Sequence, residues 1–153
     1  MHSSLDWRFV EYGGFWRRWI AAVIDFLLYA VLITPVAAMI FGLSLFDYGI
    51  ISAPLGILAY TLLPGMLVIA FWLGAQATPG KMLMGLMIVD ARTGEAPDFI
   101  NFLLRYLGYY ISGFFLCLGY IWAGFDPRKR AWHDMIAGTV VVKKDSYWRA
   151  QAA

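Results

Sequence analysis

The sequence is poor in the groups on which most site chemistry depends. Among 153 residues it holds one cysteine and two histidines. Cys117 lies alone in an apolar stretch, so it forms no internal disulfide and reads as a small packing residue. His2 and His133 have no Cys or Glu cluster beside them, which argues against a metal centre; no metal or other cofactor is implied. No serine or cysteine nucleophile stands near a base, so an enzyme is not expected. Charge is scarce as well. The net charge of +2 gives no reason to expect a nucleic-acid partner. No Asp, Glu, Lys or Arg occurs between Asp25 and Asp47, between Asp47 and Lys81, or between Arg105 and Asp126.

Apolar residues fill those gaps. The chain is 61% hydrophobic and 14% charged, with a mean hydropathy of +0.67, whereas soluble domains run at roughly 45–50% apolar and about 25% charged. Each charge-free stretch reaches the roughly 18 residues that mark a candidate span, because a helix needs about 20 to cross ~30 Å of hydrocarbon. The expected fold class is therefore an all-α integral membrane protein, with the lipid bilayer as its first partner. Three hydrophobic segments are expected, at about 15–42, 50–75 and 106–125. The first two read as full spans, the third as a span or a re-entrant hairpin. Residues 1–14 form an N-terminal segment, 15–144 the membrane domain and 145–153 a C-terminal tail. The stretch after Arg18 is too long, and too interrupted by Asp25, for a cleaved signal peptide.

Between the second and third segments the composition changes. Thr78-Pro79-Gly80 and Thr93-Gly94 are turn signals flanking a β-type run, GLMIVD, and a β-branched run, GTVVV, follows the third segment. Lys and Arg flank the first segment and follow the second, while the 43–52 loop has neither. The positive-inside rule then puts the N-terminus and the 76–105 loop in the cytoplasm, as in a bacterial inner membrane. A single crossing by the third segment would place Arg128, Lys129, Arg130, Lys143 and Lys144 outside, against that rule. A hairpin would return them and let the two β-type runs pair as a small cytoplasmic ribbon. A straight third span remains open on length alone; the same-side arrangement is the favoured one.

Asp25 is the sharpest chemical signal. It lies seven residues beyond Arg18, about 10 Å along a helix at 1.5 Å per residue, on nearly the same face. Two turns is too far for a close pair within the helix, and an ionisable group in a span calls for a partner. Arg105 and Asp134 are the candidates from the rest of the chain. Arg18 with Asp134, and Asp25 with Arg105 or water, would join the first and last segments. These charges serve either ion or proton coupling, or only the orientation of helices. TPGK fails as a phosphate loop: five residues separate Gly74 from Gly80, and Met82 stands where Ser or Thr is needed.

Three blocks, RWIAAVID, TPGKMLMGLMIVD and RAWHDMIAGTVVV, together resemble the RDD family of small membrane proteins. The resemblance runs from about Phe15 to Lys143. The family is named for an arginine and two aspartates, which fall here on Arg18, Asp25 and Asp134. His133 stands where several relatives have Gly. The resemblance implies two functions of different class. One is a subunit of a sodium–proton antiport or other transport system, acting as a homo- or hetero-oligomer, with Asp25 exchanging a small cation for a proton. The other is a non-transporting scaffold or assembly protein whose charged triad only fixes helix packing.

Overall fold

A computed structural model of the chain describes residues 5–33, 35–36, 39, 54–114 and 118–152, with side chains at all of these except 33, 54–61, 63, 113 and 114. Helix α1 (Phe15–Leu28) passes into a π-helical turn, Tyr29–Ile33. Helix α2 (Pro54–Ala75) carries Pro64 inside it, and a short α3 (Pro79–Leu83) leads into strand β1 (Leu86–Asp90). Helix α4 (Phe99–Phe114) is followed by α5 (Leu118–Ile121) and a 3-10 turn, Trp122–Gly124. Helix α6 (Trp132–Ile136), strand β2 (Thr139–Lys143) and helix α7 (Lys144–Ala152) complete the chain.

The spans expected from hydropathy are corrected here. Among the described residues no helix is long and apolar enough to cross a membrane. The physical reason lies in the make-up of the described helices. In the first segment α1 gives way to a π turn after Leu28, seven residues before Pro35. In the third, the helix begins early, at Phe99. It therefore includes Arg105, fully buried, and is not a free-standing apolar rod. The part of the first segment beyond residue 39, the 43–52 loop and Cys117 lie outside the described residues.

The two β-type runs do pair. β1 and β2 form an antiparallel ribbon with Ile88 opposite Val141. A lone two-stranded ribbon is marginal in water, and this one is covered on both faces. Side chains alternate across a strand with period two, so Met87, Val89, Val140 and Val142 share one face and pack with Leu5, Val10, Tyr147 and Ala150. Leu86, Ile88 and Val141 share the other and pack with Trp72 of α2 and Phe102 of α4. The free edge of β2 is closed by the N-terminal segment: Gly13 N–H donates to the Val141 carbonyl at 2.8 Å and Lys143 N–H to that of Glu11 at 2.8 Å.

Residues 144–152, read above as mostly tail, form α7, and Tyr147 and Ala150 bury against the ribbon. The Tyr147 hydroxyl donates to the Gly94 carbonyl at 2.8 Å and ties α7 to the turn after β1. Tyr147→Phe removes that bond and leaves the buried carbonyl short of a partner. It is expected to cost about 1 kcal/mol, read as a lowered melting midpoint of the detergent-solubilised chain.

Candidate functional site

Asp134 is the hub of a buried charge cluster. It sits in the first turn of α6, and its Oδ2 accepts the Ala131 N–H at 2.8 Å, closing the helix start. Arg18, from α1, donates through Nη2 to the same oxygen and through Nη1 to the Lys129 carbonyl at 2.5 Å. Arg105, from α4, forms an ion pair with Oδ1 and donates to Thr139 Oγ1 at 2.6 Å. Arg105 and Asp134 are both 0% exposed, and Arg18 is nearly so in its side chain. One carboxylate thus joins α1, α4, α6 and the start of β2.

The Lys129 carbonyl is offered to Arg18 by a folded turn. Asp126 accepts the backbone N–H groups of Arg128 and Arg130 at 3.1 and 3.0 Å, and the Arg130 guanidinium bridges both of its oxygens at 3.0 and 3.1 Å. The run DPRKR is therefore more than a basic patch: its acidic residue shapes the loop that its lysine carbonyl completes.

The electrostatics follow from that geometry. Burial by itself would raise the Asp134 carboxyl, but the guanidiniums of Arg105 and Arg18 outweigh it and hold the group far below the usual carboxylate range. Asp134 is an anion at any physiological pH. His133, beside it, goes the other way: burial drives its imidazole well below the ordinary histidine range, so it is neutral. The ring packs against the stacked pair Tyr109 and Tyr120, with centroids at 4.2 and 5.1 Å. Behind it Gly108 of α4 makes close approach possible, since a Cβ there would fall 2.9 Å from the His133 Cα. His133 is a packing element between α4 and α6.

Asp25 has a separate environment. Its Oδ2 accepts the Thr78 hydroxyl at 2.5 Å and its Oδ1 the Gly80 N–H at 2.6 Å. Thr78 precedes α3 and Pro79 opens it, the arrangement in which early helical N–H groups need an acceptor from elsewhere. Asp25 supplies it from the neighbouring helix. Gly80 presses against α1 closely enough that a Cβ would collide with the Ala21 carbonyl oxygen and lie 2.9 Å from the Asp25 carboxylate. TPGK is a clip on α1.

The pairing of Arg18 with Asp134 expected from the sequence is therefore present. Arg105 does not reach Asp25 as its ion-pair partner; it joins Arg18 on Asp134. Asp25 takes hydroxyl and backbone donors instead. Sequence reading missed Thr78, Gly80 and Thr139. The Thr-Pro-Gly start of a helix was the available signal for the first two.

The family model described as RDD matches residues 12–138, and the chain belongs to the RDD family. A protein of Bacillus subtilis (strain 168) named "Uncharacterized membrane protein YteJ" is 28% identical over 145 residues, covering 89% of this chain and 84% of the relative. A protein of Rickettsia prowazekii (strain Madrid E) named "Uncharacterized protein RP437" is 39% identical over 77 residues, or 49% of this chain and 41% of that protein. The chain thus matches well under half the length of the Rickettsia relative. The family and the name of the Bacillus relative support a membrane location. No solved structure matches the chain significantly.

Proposed function

We propose that this chain is a membrane-located, non-enzymatic scaffold or assembly protein in which the family's arginine and two aspartates hold the fold together. In this reading its N-terminus faces the cytoplasm of a bacterial inner membrane, and it works in a homo- or hetero-oligomer. One observation carries the proposal: both aspartates are already engaged by protein donors. Asp134 is held between two guanidiniums, and Asp25 accepts two hydrogen bonds from residues 78 and 80. A carboxylate that exchanges H⁺ for a metal cation needs lone pairs that change partner during the cycle. Here that exchange would break α1 away from α3 or α6.

The transport reading retains one observation of its own, since Asp25 lines a cavity together with Lys81. Proteoliposomes separate the two. With an imposed Na⁺ gradient, the wild-type chain is expected to give no cation-dependent change in internal pH, and Asp25→Asn to behave identically. Asp25→Asn is expected instead to lower stability by about 1–3 kcal/mol, because an amide accepts less strongly where a charged acceptor was used. A Na⁺-driven pH change in wild type that Asp25→Asn abolishes would establish antiport and displace the scaffold.

A further inference from the structure

A cavity of about 1060 Å³ is bounded by α1, α2, α4 and the C-terminal block. Its walls are graded. Trp72, Thr78, Lys81 and His133 line it and are buried, at 0–8% exposure. Trp19, Tyr110 and Ile121 also line it and are about half exposed, so they mark its mouth. A pocket polar at depth and apolar at the mouth suits an amphiphile that enters head first.

Lys81 identifies the head. It is 8% exposed, and among the described residues it makes no ion pair. Its Nζ lies 5.9 Å from the centroid of the Trp72 ring, too little to offset a buried ammonium. Among the described residues the surrounding formal charges do not balance it; another polar neighbour in the cavity is the Tyr109 hydroxyl, which burial pushes up but Lys81 and Arg105 draw down overall. Arg18, Arg105 and Lys81 contribute three positive charges, while Asp25 and Asp134 contribute two negative ones, both already engaged. Burying a cation without its counter-ion is strongly unfavourable, so this region calls for one more anion. Trp72 adds a donor: its indole N–H is buried and has no acceptor among the described residues. The volume lies just above the range of about 300–1,000 Å³ for pockets that enclose small ligands, far more than an inorganic anion fills.

We propose that the cavity binds an acidic bilayer phospholipid, its phosphate on the Lys81 ammonium and an acyl chain leaving past Trp19, Tyr110 and Ile121. A singly charged phosphodiester supplies the missing negative charge, and its tail covers the aromatic mouth. The site stands whether or not the chain transports ions, because neither aspartate is consumed by it.

The test uses the whole chain in a neutral detergent, titrated with phosphatidylglycerol carrying brominated acyl chains, which quench tryptophan fluorescence at close range. Saturable quenching is expected, with an apparent Kd about tenfold lower than for brominated phosphatidylcholine. Lys81→Gln is expected to weaken phosphatidylglycerol about tenfold, equivalent to about 1.4 kcal/mol, and Lys81→Arg to keep it. Equal affinity of wild type for the two lipids would overturn the proposal, and this comparison needs no variant. So would a folded Lys81→Gln with unchanged affinity. Displacement of the lipid by oleate or inorganic phosphate at lower concentrations than by phosphatidylglycerol itself would overturn it in favour of those anions.

Discussion

Asp134→Asn is expected to be the most damaging conservative substitution in this chain. It leaves the shape of the side chain intact and removes the carboxylate that Arg18 and Arg105 share. Breaking a buried ion pair by deleting one partner costs about 3–5 kcal/mol, because the remaining charge is left without compensation. Here the remaining charge is two guanidiniums, one of them 0% exposed. A typical domain has about 5–15 kcal/mol of stability in total, so the variant is expected to melt far below wild type or to be recovered unfolded.

The same cluster gives a pH dependence with a definite sign. Pairing depresses the folded-state pKa of Asp134. Its contribution to stability is therefore fully present above the ordinary carboxyl range near pH 4 and drains away as the pH falls below it. Unfolding midpoints of wild type, followed from about pH 7 to 3, are expected to drop in the acid limb. In any folded Asp134→Asn preparation, that limb is expected to be shallower.

Gly80→Ala is expected to be the second largest effect. The added Cβ has no room: the Ala21 carbonyl oxygen of α1 occupies the position, and the Asp25 carboxylate is 2.9 Å away. Backbone and carboxylate cannot both yield without loosening the bond from Gly80 N–H to Asp25. Overpacking costs typically about 1–3 kcal/mol, and the weakened bond to a charged acceptor adds to it. Gly74, also helical, has nothing within 4 Å of its hypothetical Cβ. Gly74→Ala is therefore expected to be neutral or stabilising by up to about 1 kcal/mol. Thermal melts of the two variants side by side distinguish a specific close approach from a general intolerance of alanine.

The parts of this molecule that were legible in its sequence carried a local signature. LMIVD and TVVVK are β-branched or apolar, bounded by turn residues, and they pair in the structure. Arg18 and Asp134 stand out because charges in an apolar chain need partners, and few were on offer. Helix ends were not legible. A hydropathy window sums composition and is blind to the change of hydrogen-bond register at Tyr29 and to a helix start at Phe99 that takes the buried Arg105 into α4.

Asp25 shows a second blind spot. Side-chain bookkeeping matched it with Arg105 by opposite charge, or with water, but the donors it meets are a hydroxyl and a backbone N–H. A backbone donor is present at nearly every residue and leaves no mark in a sequence. The cue was the small residue at Gly80, which permits the approach. α7 escaped for a different reason: most of its nine residues are polar, and only Ser146, Tyr147 and Ala150 are buried, too few for a helical stripe to stand out.

The central claim is that the charge cluster is a structural tie whose members depend on one another. A double-mutant cycle on Arg105→Gln and Asp134→Asn, read as unfolding free energies of the detergent-solubilised chain, tests it most directly. If the tie is real, the double variant is less destabilised than the sum of the single ones, with a coupling of about 1–3 kcal/mol, because removing both charges relieves the penalty of leaving either alone. Additivity within about 0.3–0.5 kcal/mol would contradict it, showing that the two residues stabilise the fold independently.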